Sequence, residues 1–157
     1  MKAVVYEEYC KKTEDGKPDD DFQKILQVKE IDDPKPKPDE VVFKVKSAAL
    51  NYNDLWGMRG EPVPVPLPHV SGSDAAGDVI AVGDEVSNIK VGDRVVSHSN
   101  MSCRVCEACT DGREFDCAKR TIWGFQTGPT WGAFSEITHL PEVNIAKIPD
   151  SVSYDDA

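Results

Sequence analysis

No stretch of this 157-residue chain is apolar for long enough to cross a membrane. The opening M-K-A-V-V-Y-E-E-Y offers only a four-residue apolar run before charges begin, too short for a secretory leader. A cytoplasmic location is therefore expected. Positive charge is scarce: Lys plus Arg number 18 against 28 for Asp plus Glu, a net charge of -10. Such a field repels polyanions, which argues against nucleic acid and anionic membrane surfaces as partners. No Gly-x-Gly occurs, so the G-x-G-x-x-G dinucleotide fingerprint is absent. The three histidines, His69, His98 and His139, have no metal-ligand spacing among themselves, and no internal repeat is visible. The ordinary reading of each histidine is surface or satisfied core.

Cysteine, by contrast, is concentrated. Cys103, Cys106, Cys109 and Cys117 form a C-x2-C-x2-C-x7-C array, and Cys10 stands apart as an ordinary free thiol. Four thiolates from one short loop are what a closed tetrahedral zinc site requires, and an all-thiolate site leaves no open position for chemistry. Gly112 permits the tight reversal that brings Cys117 back. The alternative is two disulfides or idle thiols; clustering in a chain without a secretion signal favours metal.

The remaining sequence reads as short strands with Gly and Pro punctuation, with room for one domain. Met1 to Tyr6 is a strand; Glu7 to Asp21 is polar and reads as an exposed turn or insertion; Ile25 to Ile31 alternates again and pairs with the first strand. The D-P-K-P-K-P segment, 33–38, is extended. Glu40 to Leu50 is predicted as a half-buried strand, with Val41, Phe43 and Val45 on one face and Val42, Lys44 and Lys46 on the other. Asn51 to Arg59 breaks the alternation and suits a short helix capped by Asn51 or Asn53. Glu61 to Pro68 is a rigid loop. Strands are predicted at Gly77 to Val86, Val91 to Val96, Gly132 to Leu140 and Val143 to Ile148. The sum is a mainly β, barrel-like domain with short helices and a zinc lobe at about 101–121.

The order of motifs resembles the N-terminal, GroES-like catalytic domain of the medium-chain alcohol dehydrogenase and quinone reductase superfamily. The resemblance rests on M-K-A-V-V-Y, N-Y-N-D-L-W-G-M-R-G, G-S-D-A-A-G-D-V-I-A-V-G, V-G-D-R-V, the cysteine lobe, G-A-F-S-E-I and I-P-D-S-V-S-Y-D-D-A. It implies residues 1–157 as a catalytic domain and a structural zinc. It also implies that NADPH is bound mainly by a C-terminal Rossmann domain absent from this chain. The parent would be a homo-oligomer assembled through that domain, and the isolated piece would not turn over.

The departures from the pattern bear on chemistry. Zinc alcohol dehydrogenases carry a catalytic cysteine at the position of Asn51 and a histidine at that of Ser73. An amide and a hydroxyl are poor zinc ligands by comparison. The resemblance then implies hydride transfer to an activated double bond, with the enolate held by hydrogen bonds rather than by a metal. Within that branch, L-N-Y-N-D-L-W and I-W-G-F-Q-T are similar to crotonyl-CoA carboxylase/reductases and acryloyl-CoA reductases. The carboxylating relatives have an aromatic–acid pair where this chain has Phe125-Gln126, which favours simple reduction of a short 2-enoyl-CoA, so an acyl-CoA-type substrate is expected.

Asn51, Tyr52 and Asn53 are the candidate catalytic group; Asn51 would occupy the vacated metal position and Tyr52 would aim a hydroxyl at the thioester enolate. Helix capping and packing are the alternative for all three. Ser73, Asp74 and His69 are candidates for touching substrate or cofactor. Asp54 and Arg59 are expected to pair or to orient the turn. Trp123, Phe125 and Trp131 would line an apolar pocket or pack in the core. Two competing functions stay open: an alcohol dehydrogenase or quinone reductase with another substrate, and a stand-alone zinc-stabilised binding module.

Overall fold

The structure is a computed structural model, and it describes residues 1–128 and 132–157. Strand β1 (Lys2–Val5) pairs antiparallel with β2 (Gln27–Glu30). The central sheet has the order β8-β3-β4-β5-β9, formed by β3 (Glu40–Ala49), β4 (Asp74–Val82), β5 (Arg94–Ser97), β8 (Ile137–Pro141) and β9 (Ile145–Lys147). All four of its pairings are antiparallel, and it curls into half a barrel. A small ladder of β6 (Asn100–Met101) on β7 (Thr121–Ile122) closes the neck of the cysteine lobe. Among the described residues two α-helices, α1 (Tyr52–Arg59) and the single turn α2 (Glu107–Thr110), and three short 3-10 turns complete the set. The mainly β, GroES-like expectation is met.

The alternation in β3 does not run its full length. Glu40, Val41, Val42 and Phe43 are all buried, and only from Lys44 onward does one face open to solvent. The cause is pairing on both edges: β4 lies on one side and β8 on the other, so the first half sits in the middle of the sheet. Register shifts beside Val42 and between Val45 and Ser47 re-aim the side chains. The polar Glu40 is accommodated because Lys37 Nζ and His139 Nδ1 meet its carboxylate at 3.0 Å each.

The core has two main parts. Val41, Phe43, Val79, Val95, Trp123 and Leu140 fill the inside of the sheet. Tyr6, Ile25, Met58, Val65 and Phe125 join the segment that follows β1 to α1. Each fully buried side chain of this size contributes roughly 1.5–3 kcal/mol. Phe125 and Trp123 are thus core residues; Trp131 lies outside the described residues. The strand expected from Gly132 begins only at Ile137, because residues 132–136 fold back onto the Gly72 turn and β1 instead.

The polar segment from Glu7 to Asp21 is not a free excursion. Cys10 N–H donates to the Met58 carbonyl at 2.8 Å, and Tyr9 Oη to the Val65 carbonyl at 2.6 Å. An isolated bridge joins Lys12 to Pro18. The segment is strapped across the C-terminal end of α1.

Candidate functional site

Helix α1 has only eight residues, a length that is marginal on its own. It is held by its N-terminus. Asn51 Oδ1 accepts from Asn53 N–H at 3.2 Å, while Asp54 Oδ2 accepts from Asn51 N–H at 2.8 Å, a reciprocal capping box. The other oxygen of Asp54 accepts from Gly72 N–H at 2.9 Å, so a single carboxylate joins the helix start to the turn before β4. Gly72 has φ +105°, and a Cβ there would stand 2.8 Å from that of Ala133, so only glycine fits. Asp54 is 3% exposed, and burial pushes its carboxyl above the usual carboxylate range despite the two N–H donors.

Beside this junction lies an apolar cavity of about 480 Å³. Tyr6, Leu50, Asn51, Tyr52, Met58 and Phe134 are among its walls, with Asp54 and Ser71 at its polar end. Ser71 Oγ donates to Tyr6 Oη at 3.4 Å, and burial pushes the Tyr6 phenol up. Leu50, 87% exposed, and Tyr52, 55% exposed, form the mouth. Tyr52 packs edge-on against Trp56 at 5.1 Å, and its hydroxyl accepts from Arg59 Nη1 at 3.3 Å.

Of the candidates, Asn51 and Tyr52 meet at this cavity. Asn51 Nδ2 also reaches Asp74 Oδ2 at 3.4 Å, which ties Asp74 to the same corner. Asp74 itself lines a separate recess of about 160 Å³ with Ser47, Ser97 and Tyr154. Asn53 serves the helix cap through its backbone. Ser73 is fully buried, and its Oγ has no hydrogen-bond partner among the described residues. His69 is remote from the mouth: Nδ1 faces the Pro66 carbonyl at 3.1 Å and Nε2 the Gly124 carbonyl at 3.0 Å. Burial lowers its pKa while the two carbonyls raise it, and the buried ring joins two loops. Asp54 and Arg59 do not pair. Arg59 turns instead to Asp20, at 2.6 and 2.8 Å, because Asp54 is consumed by the cap and Gly72.

Sequence reasoning missed Tyr6, Met58, Ser71 and Phe134. They come from segments whose approach depends on how the strap, β1 and the Gly72 turn fold together. Asp54 had a readable signal, since Asn51-x-x-Asp54 is itself a capping-box pattern.

The second site is the cysteine lobe. Cys103, Cys106, Cys109 and Cys117 place their sulfurs within 4.8 Å of one another. The Sγ separations are 3.5 Å for Cys106 and Cys109, 3.6 Å for Cys103 and Cys117, and 3.9 Å for Cys103 and Cys109. Zinc–sulfur bonds of about 2.3 Å at tetrahedral angles set sulfurs roughly 3.8 Å apart, so the donor set fits the metal. Gly112 makes its reversal at φ +75°. Backbone N–H groups of Val105 and Cys106 lower the Cys103 thiol, while the neighbouring thiols raise that of Cys106, as expected of sulfurs that share protons at close range.

A curled β half-barrel with a thiolate lobe and a capped helix at a cavity defines a GroES-like domain. The family model for the alcohol dehydrogenase GroES-like domain matches residues 37–150. The chain belongs to that family, within the medium-chain dehydrogenase/reductase superfamily. It is 34% identical to the crotonyl-CoA carboxylase/reductase of Cereibacter sphaeroides over 90% of this chain and 33% of that protein. It is 32% identical to an alcohol dehydrogenase of Geobacillus stearothermophilus over 100% of this chain and 42% of that one. Among solved structures, an NAD-dependent alcohol dehydrogenase superposes with a TM-score of 0.85 at 35% identity, covering 98% of this chain and 41% of that one. The chain thus spans about a third to two fifths of the length of these relatives. No helix among the described residues is long and apolar enough to cross a membrane.

Proposed function

We propose that this chain is the catalytic domain of an NADPH-dependent oxidoreductase that reduces a short 2-enoyl-CoA such as acryloyl-CoA or crotonyl-CoA. One observation carries the reading. At the positions where the resemblance to zinc alcohol dehydrogenases implies thiolate and imidazole, this chain has Asn51, whose amide reaches Asp74 at 3.4 Å, and Ser73, whose buried hydroxyl has no hydrogen-bond partner among the described residues. That donor set suits hydrogen bonding rather than zinc coordination. The 34% identity to a crotonyl-CoA carboxylase/reductase supports the substrate class.

In this reading the apolar cavity takes the short acyl chain, and Tyr52 donates its hydroxyl proton to the thioester oxygen as negative charge builds there. The nicotinamide supplies the hydride. The sequence has no Gly-x-Gly fingerprint for a dinucleotide pyrophosphate, and the reading assigns the nucleotide to a separate Rossmann domain. The four cysteines hold one structural zinc, and the protein works in the cytoplasm as a homo-oligomer.

NADPH oxidation by the full-length protein, offered acryloyl-CoA, crotonyl-CoA, simple aldehydes and quinones in parallel, tests the proposal. Turnover of the enoyl-CoA esters well above the others is expected. Preference for an aldehyde or alcohol, which the equally strong match to alcohol dehydrogenases makes the second reading, would sink it.

A further inference from the structure

The contact between the strap and α1 is more specific than packing needs. Arg59 Nε and Nη2 grip both oxygens of Asp20, at 2.8 and 2.6 Å, in the parallel fork geometry that fixes a guanidinium in place. The remaining arm, Nη1, donates to the Tyr52 hydroxyl at 3.3 Å. The guanidinium carbon also stands 5.9 Å from the ring centres of Tyr52 and Phe22. Tyr52 and Arg59 are seven residues apart, two turns along one helix face, so the arginine lies beneath the phenol. Asp20 is itself placed by the strap: Asp19 N–H donates to the Lys11 carbonyl at 2.7 Å, and Cys10 N–H to Met58 of the helix at 2.8 Å.

We propose that Asp20 and Arg59 are positioning residues for Tyr52: Asp20 locks the guanidinium, and the guanidinium holds the phenol at the cavity mouth with its own proton left to donate. The polar segment 7–21 thereby sets the geometry of the site. The inference that this proton meets a thioester oxygen rests on the proposed enoyl-CoA reduction; the positioning itself does not.

Two measurements on the full-length protein and its D20N, R59Q, Y52F and D20N/Y52F variants separate these ideas. In steady-state kinetics, loss of one neutral hydrogen bond is expected to lower kcat/KM about fivefold for D20N, R59Q and Y52F. Because Asp20 acts through Tyr52, the double variant should be no worse than Y52F alone. Multiplying losses would show that Asp20 acts only by general loosening and would overturn the proposal. If the wild-type protein ignores enoyl-CoA esters, the enoyl-CoA reading fails, and the same cycle is read on the substrate it does turn over. The second measurement is hydrogen exchange. D20N and R59Q should speed exchange in residues 8–21 and at the start of α1, while Y52F should leave the strap unchanged. No acceleration in D20N and R59Q would overturn the positioning whatever the substrate.

Discussion

In the cysteine lobe, four identical donors come from the fifteen residues Cys103–Cys117 and are drawn together by local turns. The cavity beside α1 instead gathers walls from Val4 in β1 to Phe134 near the other end of the chain. In the lobe the four thiols converge on one centre as a set that could hold a metal. At the cavity nearly every polar group is already committed to holding the fold: Asn51 caps, Asp54 clamps Gly72, and Ser71 donates to Tyr6. Such a thiol cluster can therefore be recognised from spacing alone. A hydrogen-bonding site has to be separated from the scaffold that shares its residues.

The sharpest way to break this contrast is to remove a metal ligand. Cys106→Ser should abolish zinc binding, measured as metal per chain by elemental analysis. It should also lower unfolding stability by more than about 4 kcal/mol in urea titration, as loss of a structural metal does. Retention of one zinc per chain would show that the lobe tolerates a hydroxyl, and the comparison would fail.

The next effect belongs to the clamp. Asp54→Ala leaves the N–H groups of Asn51 and Gly72 without their acceptor, and a cost of about 2–3 kcal/mol is expected in the same titration. Metal content should remain at the wild-type level, because the lobe lies beyond its own β6–β7 ladder. A parallel fall in zinc would mean that the two regions are coupled.

A smaller effect depends on pH. Burial lowers the pKa of His69, so the fold favours the neutral ring. Its stabilisation is complete above about pH 6.5 and is lost as pH falls below it, by at most about 1.4 kcal/mol per unit. With zinc in excess, wild-type stability should fall between pH 7 and 5.5, and His69→Gln should flatten that slope. An unchanged slope would place the titration elsewhere.

The smallest stability effect is expected at the cavity mouth. Tyr52→Phe removes one hydroxyl from a side chain that is 55% exposed, and stability should stay within about 0.5 kcal/mol of wild type. A large loss of stability would make Tyr52 a scaffold residue and remove the functional side of the contrast.

Much of this was legible beforehand. The cysteine array, a helix capped by Asn51 or Asn53 and two strands near 77–86 and 91–96 follow from spacing, capping chemistry and β-branched runs bounded by Gly-Asp turns, all of which act over a few residues. The expected half-exposure of all of β3 failed because a second neighbour, β8, covers its first half, and no local pattern reports a partner almost a hundred residues away. Of the two expectations for Asp54 and Arg59, orienting the turn is met by Asp54 at Gly72, while their pairing failed for a related reason. Two charges five residues apart looked like partners, but each found a better one across the fold, in Gly72 N–H and in Asp20.

By itself, then, the sequence determined the thiolate lobe, the capped helix and the mainly β class, because each is encoded by short-range geometry. Only the tertiary structure decided that Tyr6, Ser71 and Phe134 wall the cavity, that His69 serves the core, and that the polar strap grips Arg59 beneath Tyr52. Those outcomes depend on which distant surfaces meet once apolar area is buried, and burial is a property of the whole chain.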